Sequence, residues 1–330
     1  MHTVFKIYLR VSFGTLLAVS AAMALAVTWV DPFGERESHG PMKTFASNVL
    51  TADKYLHQLQ EGPHILVFGT SRSRHLSSEL VGEPVINLHA IYGNPHAVKG
   101  FLDRLNPQQI KNIRRVIYLL DGHTFDGKKY FDETDYKSVL SSFIYRVKNT
   151  KSYISNSISK IKYNYTSSYA SWIDDTGATH NINDPVFTGY MPKFNEEQHS
   201  ITQDNLILLK EIDSFFKNYG IDVSYVRPPL PMAYLHKIDQ SFILDPVRIF
   251  SNTLPDGIYD LTYTPGVSEN NKYFWDETHL NMVGTAKVFP SGYPIGTPVK
   301  ANTLNAHLKW LAEQCEPPRS AVKHKPLGQP

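Results

Sequence analysis

His64-Ile65-Leu66-Val67-Phe68-Gly69-Thr70-Ser71-Arg72-Ser73 is the stretch on which the reading of this chain turns. Residues 65–68 form an uninterrupted apolar run of strand length, as expected of a strand covered on both faces in a parallel sheet. Gly-Thr-Ser closes the run and a polar turn follows. A strand that ends in Gly-x-Ser presents a serine hydroxyl at the carboxyl edge of its sheet. In open α/β sheets that edge is where ligands bind. Gly-Thr-Ser is equally an ordinary turn. A catalytic role for Ser71 therefore requires a base, an orienting acid and oxyanion donors from elsewhere in the chain.

Working outward, strands and helices alternate. Residues 85–88 and 115–120 read as further core strands, and 74–80 and 96–105 as helices. Residues 206–216 carry Leu206, Leu209, Ile212, Phe215 and Phe216 at helical spacing and stop at Gly220. Residues 222–226 read as a fourth strand and 258–261 as a fifth, with helices over 278–288 and 302–314. This alternation predicts an α/β fold, a doubly wound and mainly parallel sheet with helices on both faces. The rhythm breaks between about 125 and 200, a segment rich in Tyr, Ser, Asn and Lys. Apolar positions within 139–161 suggest one or two helices, so the segment reads as a helical insertion or cap beside the site. Residues 316–330 carry four prolines and read as a disordered tail.

The chain begins with an uncharged run from Val11 to Val30. As a helix it is about 30 Å long, the thickness of a bilayer's hydrocarbon core. Lys6 and Arg10 precede it, while Asp31, Glu35 and Glu37 follow it. That asymmetry places the N-terminus in the cytoplasm and the main domain outside. A cleaved signal peptide, with Ala22-Met23-Ala24 as the small-x-small site, and a buried core helix are the other readings. The expected organisation is a cytoplasmic tip and membrane anchor over 1–34, an extracytoplasmic α/β domain over 35–315 and the tail beyond it.

Composition narrows the classes. The chain has 330 residues, 42% hydrophobic and 19% charged, with a formal net charge of +2. That is globular, and too weakly basic to argue for nucleic acid. One cysteine, Cys315, excludes an internal disulfide framework. His64, His75, His89, His96 and His123 are close in sequence but lack tight ligand spacing, so no metal is expected.

The second informative stretch is Phe274-Trp275-Asp276-Glu277-Thr278-His279-Leu280-Asn281. In the first turn of a helix, residues three apart lie on one side. Asp276 can then hold the His279 imidazole in one tautomer while its other nitrogen faces a serine. The plainer reading makes Asp276 an N-cap and His279 a surface residue. Taken together, Gly-Thr-Ser after the first core strand and Asp-x-x-His before a late helix resemble the SGNH/GDSL hydrolase superfamily. With the N-terminal anchor, Asp31-Pro32-Phe33-Gly34, Gly-Thr-Ser-Arg and Asp-x-x-His-Leu-Asn, the chain looks most like its membrane-anchored cell-envelope branch. Alginate O-acetyltransferase-like and D-alanine transfer protein-like chains belong to that branch. The resemblance covers roughly 1–125 and 200–315.

The resemblance implies an SGNH/flavodoxin-like fold with Ser71 as nucleophile, His279 as base and Asp276 as the acid that orients it. It implies oxyanion donors from the Ser71 N–H, from a glycine matched by Gly93, and from an Asn side chain at a place where this chain has Asp121. A carboxylate accepts hydrogen bonds and cannot donate one to an oxyanion. Either Asp121 is protonated, or Asn94 or an arginine substitutes, or the oxyanion site is weak. Arg72, Arg74 and Arg227 are candidates for binding an anionic substrate, Arg227 foremost because it directly follows a strand. The implied activity is transfer or hydrolysis of an O-acyl group, chiefly acetyl, on an envelope polysaccharide. No cofactor is implied. A multi-spanning membrane acyltransferase is implied as the acyl source. A non-catalytic polysaccharide-binding or assembly protein with a degenerate site is the alternative.

Overall fold

The computed structural model describes residues 2–30, 52–89, 93–125 and 201–316, with shorter pieces between 151 and 189. Helix α1 (His2–Val30) opens the chain. Within it Phe5–Met23 is long and apolar enough to cross a membrane, and none of that window is buried. Phe5, Val11, Leu16 and Leu25 are all exposed. A core helix would bury such a face, so that reading falls. The Asp31-Pro32-Phe33-Gly34 break and the tail beyond 316 lie outside the described residues.

The domain is built on five parallel strands: β1 (His64–Phe68), β2 (Val85–Asn87), β3 (Ile113–Leu119), β6 (Asp222–Arg227) and β7 (Tyr259–Asp260). Their order is β2-β1-β3-β6-β7, and every pairing among them is parallel. The chain thus starts near the middle, winds one way to β2, then reverses past β1 to β3. The carboxyl ends of β1 and β3 flank that reversal, the place where such sheets bind ligands.

Alternation along β1 explains the apolar run. Leu66 and Phe68 enter one core cluster with Tyr118, Phe101, Phe216 and Phe250; Ile65 and Val67 enter another with Ile117, Leu119, Val226 and Phe274. Both faces are dry, so neither set of positions tolerates a polar residue. The first cluster is covered by α2 (Ala52–Glu61), α4 (Pro95–Leu102), α5 (Pro107–Lys111), α6 (Gln203–Asn218) and α8 (Gln240–Thr253). Helix α10 (Leu304–Cys315) completes it. The second receives residues of α3 (Ser78–Val81) and α9 (Met282–Val288). A single turn, α7 (Met232–Leu235), follows β6.

Some elements differ from expectation. Helix α2 precedes the first strand that the sequence announces; its Tyr55 and Leu59 are buried and its Leu56 and Leu59 carbonyls accept from Gln109 and Asn112. The helix expected over 74–80 is only α3, because Ser77 caps it and Gly82 ends it in the left-handed region. The insertion contributes helical residues between 151 and 162 and an antiparallel hairpin, β4 (Ser171–Ile173) and β5 (Thr179–Asn181).

Gly69 is the hinge between strand and site. Its φ is +147°, and a Cβ there would lie 2.9 Å from Leu119 Cβ and 3.1 Å from Ser73 Oγ. Gly69→Ala is expected to cost about 1–3 kcal/mol through backbone strain and the clash with β3. Thermal melting checks this: a drop of several degrees is the expected result, and an unchanged midpoint would contradict the close approach.

Candidate active site

The turn after β1 is one 3₁₀ turn, Ser71–Ser73, with Thr70 as its N-cap; the Thr70 hydroxyl accepts from Arg72 N–H at 3.4 Å. Ser73 N–H and Oγ–H both donate to the Thr70 carbonyl, at 2.9 Å each. Asn87, at the end of β2, supports the far side by donating to the Ser73 and Leu76 carbonyls at 2.8 and 2.9 Å. The turn therefore rests on β1 and β2 while Ser71 itself stays exposed.

His279 reaches it from far along the chain. Phe274 and Leu280 bridge as an antiparallel pair, and Trp275 N–H donates to the His279 carbonyl at 2.8 Å. Asn281 then pins the loop. Its N–H donates to the Tyr273 carbonyl at 3.0 Å, its side-chain amide to the Lys272 carbonyl at 2.7 Å, and its Oδ1 caps α9 by accepting from Gly284 N–H at 2.9 Å. The helix thus begins at Met282, and Asp276 and His279 sit in a loop rather than in the first helical turn. Asp276 caps that loop, its Oδ1 accepting from Thr278 N–H at 2.8 Å and His279 N–H at 2.9 Å.

The three side chains form a line. Ser71 Oγ lies 2.6 Å from His279 Nε2, and His279 Nδ1 lies 2.8 and 2.9 Å from the two Asp276 oxygens. A carboxylate beside Nδ1 puts the ring proton there. That leaves Nε2 as an acceptor for the Ser71 hydroxyl proton. Burial works against the Asp276 charge, but the His279 hydrogen bond and charge and the two loop N–H groups outweigh it, holding the carboxyl down at about 2. A carboxyl with a lowered pKa stabilises the fold above its ordinary value of 3.8 and loses that contribution as pH falls through about 2. Asp276→Asn is expected to flatten the acid slope of the melting temperature between about pH 4 and pH 2. An unchanged slope would remove Asp276 from this network.

The remaining candidates divide. Gly93 packs on the turn after β1: a Cβ there would lie 3.1 Å from the Gly69 carbonyl oxygen and 3.2 Å from Thr70 Cγ2. Asn94 is buried and its Oδ1 accepts from Ala97 N–H at 2.8 Å, the cap of α4. Asp121, 1% exposed, accepts the Thr70 hydroxyl on Oδ2 and Arg72 Nη1 on Oδ1 at 2.6 Å. It stands beneath the serine as an acceptor. Arg227 is buried under the site, with Nη1 donating to the Ile243 carbonyl at 2.7 Å, and it feels the charges of Asp260, Arg72 and Asp121. Its place is in the interior, not in an open substrate cleft.

Three of the histidines grouped in sequence are held by separate oxygen acceptors. His64 donates to the Gly62 carbonyl at 2.8 Å, His75 to the Thr179 carbonyl at 2.7 Å, and His89 to Asn87 Oδ1 at 3.0 Å. Burial, with Arg74 and His75 beside it, pushes His89 down to about 3, so it is neutral at ordinary pH. No cluster of metal-ligating side chains occurs among the described residues.

Sequence reasoning missed the contacts of Thr70, Asn281 and Trp275, and Arg74, read there as a candidate for an anionic substrate, instead forms a wall with Trp275. The Arg74 guanidinium carbon lies 3.4 Å from the centre of the Trp275 ring, next to Asp276. Arg74 Nε–H donates to His75 Nε2 at 3.2 Å, while the Arg74 carbonyl accepts from Thr179 N–H at 2.6 Å. These contacts tie the inserted hairpin to the trailing edge of the Ser71–Ser73 turn. Asn281 carried a signal, an Asn before a helical pattern. The Arg74–Trp275 pair carried none, since nothing local marks a contact across two hundred residues. Comparison with protein-family models, curated proteins and solved structures finds no match to this chain.

Proposed function

We propose that this protein is an SGNH-like serine acyltransferase or esterase acting on an O-acyl group, chiefly acetyl, of a cell-envelope polysaccharide. The observation that carries the reading is the line of Ser71 Oγ, His279 and Asp276, with contacts of 2.6 Å and 2.8 Å. Its position at the carboxyl edge, between β1 and β3, agrees with it.

In the proposed reaction His279 Nε2 removes the Ser71 hydroxyl proton as Oγ attacks the acyl carbonyl. Asp276 stabilises the imidazolium that forms. Backbone N–H groups of Ser71 and Gly93 hold the oxyanion. The tetrahedral adduct collapses, and His279 returns its proton to the leaving oxygen, leaving acyl-Ser71. A sugar hydroxyl or water, deprotonated by His279, then attacks the acyl-enzyme and releases Ser71. The exposed apolar α1 supports a membrane-anchored chain, with Lys6 and Arg10 on the cytoplasmic side and the α/β domain outside. In a transferase the acyl group would be delivered by a multi-spanning membrane acyltransferase.

The non-catalytic alternative has one observation in its favour. Asp121 stands where a neutral donor is expected, and both its oxygens already accept hydrogen bonds. The full-length protein in detergent, incubated with an activated acetyl ester, separates the two. Acetate release above the buffer rate supports the enzyme; folded protein that releases none supports the polysaccharide-binding reading.

A further inference from the structure

The Asp121 carboxylate straddles the nucleophile. It grips the residue before Ser71 through the Thr70 hydroxyl and the residue after it through the Arg72 guanidinium. Ser71 is exposed, and the one short turn that carries it has little stability of its own. Its closing bond, Arg74 N–H to the Ser71 carbonyl, is long at 3.4 Å. Asp121 by contrast is fixed. It follows β3 directly, is 1% exposed, and its own carbonyl accepts from Thr124 N–H at 3.0 Å and from the Thr124 hydroxyl at 2.8 Å.

We infer that Asp121 is a positioning residue for the Ser71 nucleophile, acting from the neighbouring strand by clamping Thr70 and Arg72 on either side of it. The inference rests on the reading of Ser71 as a nucleophile and deepens it. It also accounts for an acid at this position. Both of its partners donate, and a carboxylate can accept from both. An asparagine has one accepting oxygen and would turn an NH₂ toward either the Thr70 hydroxyl or the Arg72 guanidinium. The Thr70 hydroxyl is the second joint of the clamp, since it donates to Asp121 while accepting from Arg72 N–H. A misplacement of about 1 Å at a reacting atom can cost about 10²-fold in rate.

The test uses the full-length protein with an activated acetyl ester, comparing Asp121→Asn, Thr70→Val and Thr70→Ser with the parent and with Ser71→Ala. Melting temperatures are measured alongside. Asp121→Asn is expected to lower kcat about 10²-fold and Thr70→Val about 10-fold, each with KM within about twofold. Thr70→Ser, which keeps the hydroxyl, is expected to return kcat to within about threefold of the parent. If Asp121→Asn does not fold, the Thr70→Val and Thr70→Ser pair decides. A parental kcat in a folded Asp121→Asn, a loss confined to KM, or a Thr70→Ser as slow as Thr70→Val overturns the clamp and leaves the nucleophile standing. A parent no faster than Ser71→Ala overturns the nucleophile, and the clamp with it.

Discussion

Ser71→Ala is expected to reduce turnover of an activated acetyl ester by at least about 10⁴-fold, with the fold intact. The size follows from the role. Without Oγ no acyl-enzyme can form, and direct attack by water on a bound ester is all that remains. In energy this is about 5 kcal/mol or more of lost transition-state stabilisation. The fold should survive because Ser71 is exposed and its hydroxyl contacts His279 rather than the core. Removing Oγ leaves the turn's own bonds from Ser73 to Thr70 in place. Steady-state rates with a melting curve on the same preparation measure both halves. A variant that keeps the parental rate removes Ser71 from the chemistry.

Asp276→Asn is the second large effect, expected to lower kcat about 10³-fold with little change in KM. Two separate losses combine. An amide cannot stabilise the imidazolium that forms on His279, and it is indifferent to which ring nitrogen carries the proton. With the tautomer released, Nε2 is protonated in part of the population and cannot accept from Ser71. The Asp276 side chain is 38% exposed, so water screens part of the effect, and the expected loss sits below the largest recorded for fully buried acids of this kind. The loop should persist, because the asparagine oxygen can still accept from the Thr278 and His279 N–H groups that Asp276 now holds. A kcat within about threefold of the parent would mean that His279 is oriented by its loop alone.

Much of the sheet was legible because parallel strands covered on both faces are largely apolar. Residues 65–68 and 116–120 are apolar throughout, while 85–88 and 222–226 were read from the apolar residues around Asn87 and Ser224. Helix α8 was not legible, since Pro246 lies inside it and reads as a breaker. Burial of Ile243, Val247 and Phe250 on one face offsets the proline. The β4–β5 hairpin hides in a Tyr- and Asn-rich segment with no alternation, and its attachment to Arg74 and His75 is purely tertiary.

At the site, Ser71 and the Asp276–His279 pair, which the fold brings into contact, were readable because each lies in a motif of a few neighbouring residues. The helix start was misjudged for a physical reason. Asp276 and Asn281 are both capping residues, and only the fold shows that the first caps a loop and the second a helix. The contacts of Asp121 could not be read at all. Its partner Thr70 lies on the loop of the adjacent strand, so the pairing exists only once β1 and β3 are side by side. Arg227 misled in the opposite sense. It is the last residue of β6, at the strand's carboxyl end, yet its guanidinium turns inward to the Ile243 carbonyl.

The most direct test of the central claim is where a fluorophosphonate attaches to the full-length protein. Such a probe is captured covalently only by a serine whose hydroxyl is activated by a neighbouring base. Peptide mass spectrometry is expected to place one adduct on Ser71, lost in Ser71→Ala and strongly slowed in Asp276→Asn. A folded protein that takes up no probe, or one labelled equally in Ser71→Ala, would contradict the account.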